Sequence, residues 1–482
     1  MTMSQGSASS GRRRRGGRAA ARAEAAFFGA VVTATDLLPP RIRYGYVHPL
    51  TAGMFRRPLR VLAATGVRAG ATAAPPATSS LPATLCCALL TGSMEVGGIG
   101  SVVEVLAMAF PMAGVRAVVI CTADGARAAR LRSRGVEVVV VANEAEAARA
   151  LRGLDPDVIE SHGAPEPLED AAIASGIPIV PVLHNTEIHF SRARWRRFAR
   201  LLGRSPAAIG VSESVREFHA RQVGAELAER IRVVANAVPS EGAPRADERR
   251  AARAALERTL ETDLAGDFVF VSLTRYDAQK NVAGLVSSFL ATVTADRVRL
   301  VVAGEPSDWA ELRRADALRR CSDRADRVTL LGSSDARALL AAADGFILDS
   351  FFEGWPVAAT EAAEAGLGLV LGDFGGAREL VDRDRGRSLL IPNACGPAER
   401  VSDAAVARAR RRCRRQPNAL ELGAAVDALV RGARDVSRAP VRSWAPAEQL
   451  ATMVEGHADV LRRAVARSHV EARFGRVGGI SR

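Results

Sequence analysis

The stretch Asp267-Phe268-Val-Phe-Val-Ser-Leu273-Thr-Arg275-Tyr-Asp-Ala-Gln-Lys280-Asn281 opens with an apolar run of strand length and closes in a polar loop holding the only lysine of the chain. Of the 66 basic residues every other one is arginine, so whatever bias selects arginine was not followed at position 280. Guanidinium is a planar fork, whereas ammonium is a compact point charge on a flexible stem. A point charge suits contact with phosphate. A stray codon at a solvated helix start would leave the same residue, so the surroundings decide between the two.

Outward from this stretch, short apolar runs alternate with helical patterns at the spacing of βα units. They lie at 298–302, 328–331, 345–348, 368–371 and 388–391 on one side, and at 85–91, 117–122, 136–141, 157–161, 178–183, 207–211 and 231–234 on the other. Runs apolar throughout are what parallel strands covered on both faces look like. A charged, helix-prone stretch at 241–261 separates the two series. The pattern predicts an α/β protein with two Rossmann-like doubly wound domains, over residues 82–240 and 241–440, followed by helices and a tail at 441–482. A length of 482 residues also favours two domains over one core.

The net charge of +13 would suggest nucleic acid if it were spread over the body. Residues 1–85, however, carry twelve arginines against Glu24 and Asp36, so ten of the thirteen charges precede the first strand. That distribution argues against a nucleic-acid groove in the folded part. Residues 1–81, with Gly-Arg-Arg-Arg-Arg-Gly-Gly at 11–17, are expected to form a disordered Arg/Ala-rich extension. Its apolar run at 27–34 is too short to span a bilayer, and Arg22 and Glu24 interrupt any signal-peptide core. The six cysteines are scattered, without C-x-x-C pairs or histidines at ligand spacing, which fits a reducing cytoplasm and suggests neither disulfides nor zinc.

Three segments carry candidate chemistry. Ser93-Met-Glu-Val-Gly97-Gly98-Ile-Gly100 follows the first strand as a glycine-rich turn. Such a turn is common in α/β folds, yet it also lets backbone approach an anion at a helix N-terminus. Glu353-Gly354-Trp355-Pro356-Val357-Ala-Ala-Thr-Glu361 follows the run at 345–348, with Pro356 suited to a first helical turn. Two carboxylates there could both face the carboxyl end of the sheet, where open α/β sheets bind ligands, or form an ordinary solvated pair. Ser191-Arg-Ala-Arg194-Trp195-Arg196-Arg197-Phe198-Ala-Arg200-Leu-Leu202 sets Trp195, Phe198 and Leu202 on one helical stripe among arginines. This describes either a helix facing an anionic membrane or an apolar face docked on the sheet. The run Arg410-Arg-Arg-Cys-Arg-Arg415 is expected to be a solvated helix face.

Taken together, Gly97-Gly98, His184, Asn236, Arg275 with Lys280, Glu353 with Glu361, and Gly375-Gly376 with Glu379 have an order and spacing that resembles the family 4 glycosyltransferases. These are retaining enzymes of the GT-B fold, in which two Rossmann-like domains face a central cleft. The resemblance covers roughly residues 85–465. Thr274 and Ala237 stand where the family usually has glycine. The resemblance implies transfer of a sugar from a nucleotide diphosphate donor, UDP- or GDP-linked, to a glycan, lipid or small-molecule acceptor. It implies that residues 82–240 serve the acceptor and 241–440 the donor. Gly97 and Gly98 would lie against the diphosphate, Arg275 and Lys280 would neutralise it, Glu361 would hold the ribose, and Glu353 with the backbone of Gly354, Trp355 and Pro356 would hold the sugar. His184 would contact that sugar as well, and Asn236 would shape a turn. No metal and no other cofactor are expected. The rival readings are a GT-B fold epimerase or phosphorylase, and a catalytically inactive basic protein recruited to membrane or nucleic acid by its N-terminal tail.

Overall fold

The computed structural model describes residues 6–39, 42–64, 85–95, 97–239, 242–384, 387–434 and 446–477, and in it the apolar runs become two parallel sheets. The first contains β1 (Leu85–Ser93), β2 (Val115–Ala123), β3 (Glu137–Val140), β4 (Val158–His162), β5 (Ile179–Leu183), β6 (Ala208–Gly210) and β7 (Ile231–Val233). Their order is β3-β2-β1-β4-β5-β6-β7, every pair parallel. The second contains β8 (Phe268–Leu273), β9 (Val298–Ala303), β10 (Val328–Leu331), β11 (Gly345–Leu348), β12 (Gly368–Gly372) and β13 (Leu389–Ile391), in the order β10-β9-β8-β11-β12-β13. These pairs too are all parallel. Each sheet reverses its winding once, between β1 and β4 and between β8 and β11. At such a switch point the connections diverge and leave a crevice at the carboxyl ends of the strands.

The described residues fall into two compact units, one within 1–68, 242–353 and 358–444, the other within 69–241, 354–357 and 445–482. Phe270, Leu300, Val302, Ile347 and Val370 of the second sheet share a core with Val286 and Phe289 of the helix Val282–Thr292. In the first sheet, Ala88, Leu90, Ile120 and Ile159 pack on Leu151 and Leu168.

The disordered extension expected over 1–81 needs correction. Residues Gly6–Asp36 form a helix whose buried Ala21, Ala25, Phe28 and Val32 make one stripe. That stripe lies on the helix Trp309–Arg320, with Phe28 against Ala310. Glu24 binds Arg313 and, at 2.6 Å, Arg320. A π-helical turn, Arg43–Val47, runs into the helix His48–Phe55. Beyond it the chain lines the loop after the edge strand β10: Gly332 N–H donates to Arg60 O (2.8 Å) and Asp335 N–H to Leu62 O (2.9 Å). The expected extension beyond residue 64 lies outside the described residues.

Arg410 is likewise not on a solvated face. It is 2 % exposed and binds Asp36 and Glu311, the latter at 3.0 Å, with Asp308 at 3.6 Å. Burial alone would weaken its positive charge, but these carboxylates reverse that and raise its pKa. The run at 410–415 therefore contains one of the cations that tie the N-terminal segment to this unit.

Candidate active site

The loop after β8 and the loop after β11 are neighbours because the two strands pair, Phe270 against Gly345 and Val271 against Phe346. Lys280 reaches across and its ammonium binds the Glu353 carboxylate. Only 15 % of the Lys280 side chain and 9 % of the Glu353 side chain are exposed, so the pair is screened little by solvent. Glu353 also accepts hydrogen bonds from Ser350 Oγ (2.8 Å) and Gln279 Nε2 (3.2 Å). Gln279 donates in addition to Phe352 O (2.8 Å), which holds the second loop to the first.

Asp277 organises the first loop. Its Oδ1 accepts from the backbone N–H of Gln279 (3.0 Å) and Lys280 (3.1 Å), while Oδ2 lies 3.1 Å from the Arg275 guanidinium. Arg275 itself is 56 % exposed at the side chain, leaving donors available to an anion. Asn281 closes the loop in the left-handed region, φ 50°, as the N-cap of Val282–Thr292. Thr274 and Ala237 are not among the described residues with positive φ, so neither position requires glycine. The close approach falls instead on Gly304, where a Cβ would sit 2.1 Å from Thr274 O.

Behind the loops lies a buried carboxyl. Asp349, directly after β11, accepts from Asn281 Nδ2 and Asn418 Nδ2, both at 2.9 Å. Burial pushes its pKa up to about 7, against the pull of the two amides. Asn393 Nδ2 donates to Phe351 O (2.8 Å), fixing the loop between Asp349 and Glu353. Trp355 and Pro356 are buried, and Glu361 is half-buried on the helix Val357–Glu364.

In the other unit, Gly97 has φ 124° and stands before the helix Gly98–Ala109, a conformation that favours glycine. Arg127 steadies this turn, donating through Nη1 to Glu95 O (2.6 Å) and through its N–H to Met94 O (3.2 Å). His184 follows β5, and its Nε2 lies 2.9 Å from His162 Nδ1. His162 Nε2 is 3.8 Å from Glu160, which in turn binds His457 on the helix Pro446–Val477. Burial, reinforced by His457, pushes the His184 pKa down to about 3, so its ring is neutral near pH 7. Within the same unit a Cβ on Gly354 would fall 1.7 Å from His184 O, and Ser212 Oγ donates to Gly354 O (3.0 Å). Gly354 is therefore fixed by space. Asn236 is buried.

The stripe of the helix Arg192–Arg204 faces inward. Trp195 stacks edge-on to His219 (5.6 Å between centroids) and lies near Phe218 (6.1 Å), and Leu202 is buried. Arg194 and Arg197 turn to Glu166 and Asp170, each at 2.7 Å. This geometry is that of a helix docked on its own unit, with Trp195 and Phe198 half-buried. Sequence reasoning missed Asp277, Gln279, Ser350, Asp349, His162, Glu160 and His457. Asp277 and Gln279 stood within the quoted loop and Ser350 stood three residues before Glu353, but the long-range pairings of Asp349 with Asn281 and Asn418, and of Glu160 with His457, left no signal in spacing. Among the described residues no group of three or more His, Cys, Asp or Glu side chains is placed to hold a metal, and no helix is long and apolar enough to cross a membrane.

Two family models match the chain: Glycosyltransferase Family 4 over residues 96–241 and Glycosyl transferases group 1 over 266–407. No curated protein matches it. Among solved structures it is similar to Anabaena Alr3699/HepE in complex with UDP and glucose, with TM-score 0.56 and 20 % identity, over 78 % of this chain and 99 % of that one. It is also similar to the glycosyltransferase from Rickettsia africae (TM-score 0.53, 13 % identity, 78 % and 98 %). The catalytic domain of starch synthase IV from Arabidopsis thaliana, bound to ADP and acarbose, matches with TM-score 0.53 and 14 % identity over 79 % and 99 %. Identities this low speak to the GT-B fold alone.

Proposed function

From the premise that this chain belongs to the family 4, group 1 glycosyltransferases, whose models together span more than half of it, we propose that it moves a sugar from a UDP- or GDP-linked donor with retention of anomeric configuration. The acceptor in this reading is a glycan, a lipid or a small molecule. The observation that carries the donor assignment is the meeting of Arg275, Lys280 and Glu353 at the switch point between β8 and β11.

In this reading the diphosphate takes the place that Glu353 holds on the Lys280 ammonium, while Arg275 adds a second cation. Both stabilise the negative charge that grows on the leaving diphosphate, and preorganised charge of this kind commonly contributes more to catalysis than any other single effect. They supply what a divalent ion would otherwise supply, so the proposal includes no metal and no cofactor. Glu353, released from Lys280, accepts from hydroxyls of the transferred sugar, and Glu361 accepts from the ribose. Gly97 and Gly98 present backbone N–H groups to phosphate. The neutral His184 offers a hydrogen bond to the sugar without adding charge. The acceptor hydroxyl attacks the face the diphosphate leaves, with a donor phosphate oxygen taking its proton. UDP and glucose in the HepE complex, and ADP in that of starch synthase IV, support a nucleoside diphosphate as the common donor element. Free cysteines and a nucleotide-sugar donor suit a reducing cytoplasmic setting.

A thermal-shift screen against UDP, GDP, ADP and their sugar conjugates tests the reading, because a ligand of the native state stabilises it by mass action. One nucleoside diphosphate and its sugar conjugate should raise Tm, and NMR of the product should show the donor's anomer. No shift with any of them, or an inverted product, would overturn it.

A further inference from the structure

The segment 42–55 is built inside out. Its polar side chains turn toward the protein: Arg43 donates to Thr35 O (3.1 Å) and Asp36 O (2.9 Å), His48 lies 3.6 Å from Asp308, and Thr51 is buried. Of its large apolar side chains Phe55 packs inward, its ring 5.0 Å from that of Phe28, while four others turn away. Ile42, Tyr46, Leu50 and Met54 are 43 %, 75 %, 65 % and 67 % exposed, and their four-residue spacing sets them on one stripe. Gly45, Pro49 and Gly53, also exposed, fill the remainder of that face. Single exposed apolar residues are ordinary, whereas a contiguous patch marks a contact surface.

Charge says what the partner is. Between Asp36 and Glu95 the sequence contains no acidic residue, only arginines. Arg60 is engaged with Glu261 (2.9 Å) and Arg43 faces inward, but Arg56 and Arg57, directly after Phe55, are exposed. A second copy of this face across a two-fold axis would set arginine against arginine. An anionic lipid surface meets both demands, accepting apolar side chains at the acyl boundary and guanidinium groups at the phosphates. We propose that residues 42–57 dock this protein on anionic bilayers, with Ile42, Tyr46, Leu50 and Met54 inserted and Arg56 and Arg57 on the headgroups. At about 1.5 Å per residue the helix would lie some 20 Å along the surface without crossing it. The segment's ties to its own unit, through Asp36 with Arg410 and Glu24 with Arg313 and Arg320, would make that unit dock as one body. The proposal holds whether or not the sugar acceptor is a lipid.

Co-sedimentation of the full chain with phosphatidylglycerol-containing vesicles, and with phosphatidylcholine alone, reads the effect. Tyr46→Ser with Leu50→Ser and Met54→Ser alters only exposed positions, so Tm and turnover of a soluble acceptor should be unchanged. Partitioning into the anionic vesicles should fall about tenfold or more, which is about 1.4 kcal/mol. Arg56→Gln with Arg57→Gln should weaken binding comparably and reduce its salt dependence. The arginines at 12–15 could bind vesicles unaided, so the serine set is repeated in a chain with Arg12–Arg15 all changed to alanine and should still lower the residual binding. Equal binding of wild type and serine variant in both backgrounds would overturn the proposal. So would a concentration-dependent dimer that the serine set dissolves while vesicle binding persists, since the face would then belong to a second copy.

Discussion

Replacing Lys280 separates what the Lys280–Glu353 pair does for the fold from what it does for the reaction. Removing one member of a buried ion pair costs about 3–5 kcal/mol when the other charge is stranded. Glu353 would not be fully stranded in Lys280→Ala, because Ser350 and Gln279 still donate to it, so a loss of about 3 kcal/mol, at the lower edge of that range, is expected. Lys280→Arg keeps a cation beside Glu353 and should unfold within about 1 kcal/mol of wild type by urea titration. Catalysis should not follow stability. If the ammonium serves as a point charge on the leaving diphosphate, both variants should lose about 10²-fold in kcat/KM, equal to about 2.7 kcal/mol. Nucleoside diphosphate should also raise Tm less in Lys280→Ala than in wild type. Full turnover in Lys280→Arg would show that charge alone suffices, and full turnover in Lys280→Ala would remove this residue from the mechanism.

Glu353→Gln takes away the internal competitor for Lys280, so it should tighten free nucleoside diphosphate binding while depressing sugar transfer, whereas Glu361→Ala should chiefly weaken nucleotide binding; calorimetric titration of both variants giving equal losses would contradict the division. Asp349, whose folded pKa of about 7 lies above its unfolded value of 3.8, binds more protons folded than unfolded between those limits. Its contribution to stability is therefore full below about pH 4 and is lost as pH rises through 7, a change on the order of a few kcal/mol. Asp349→Asn should flatten that part of the pH–stability curve, and parallel curves from pH 4 to 8 would refute the assignment. Removing residues 1–64 uncovers Arg313, Arg320 and Arg410, so the segment should prove necessary for stability. Both the truncated chain and Arg410→Ala should lose about 3 kcal/mol or more, and a truncated chain with unchanged Tm would show the contact to be inconsequential.

Strands buried on both faces write themselves into sequence as near-continuous apolar runs, and for that reason β8 and β11 fall on the residues where such runs begin and end. Lys280 and Glu353 were legible because their residue types are scarce or spaced in a recognisable way. The network behind them was not: Asn281, Asp349 and Asn418 meet only after the chain has wound through intervening strands, and each looks alone like a turn residue. The N-terminal segment misled for a related reason. Its core stripe is two alanines, a phenylalanine and a valine among many arginines, and the composition of such a helix resembles an unstructured tail until the surface it covers is known.

The solitary lysine has one practical consequence. Apart from an α-amine, Lys280 Nζ is the sole primary amine available for acylation, so reagents that ordinarily decorate a protein at random become addressable to the loop after β8. Intact mass would count modification at a single position, and its rate would follow how often the ammonium leaves Glu353. Under the proposed assignment, donor occupancy could thus be timed without a tag or an engineered residue.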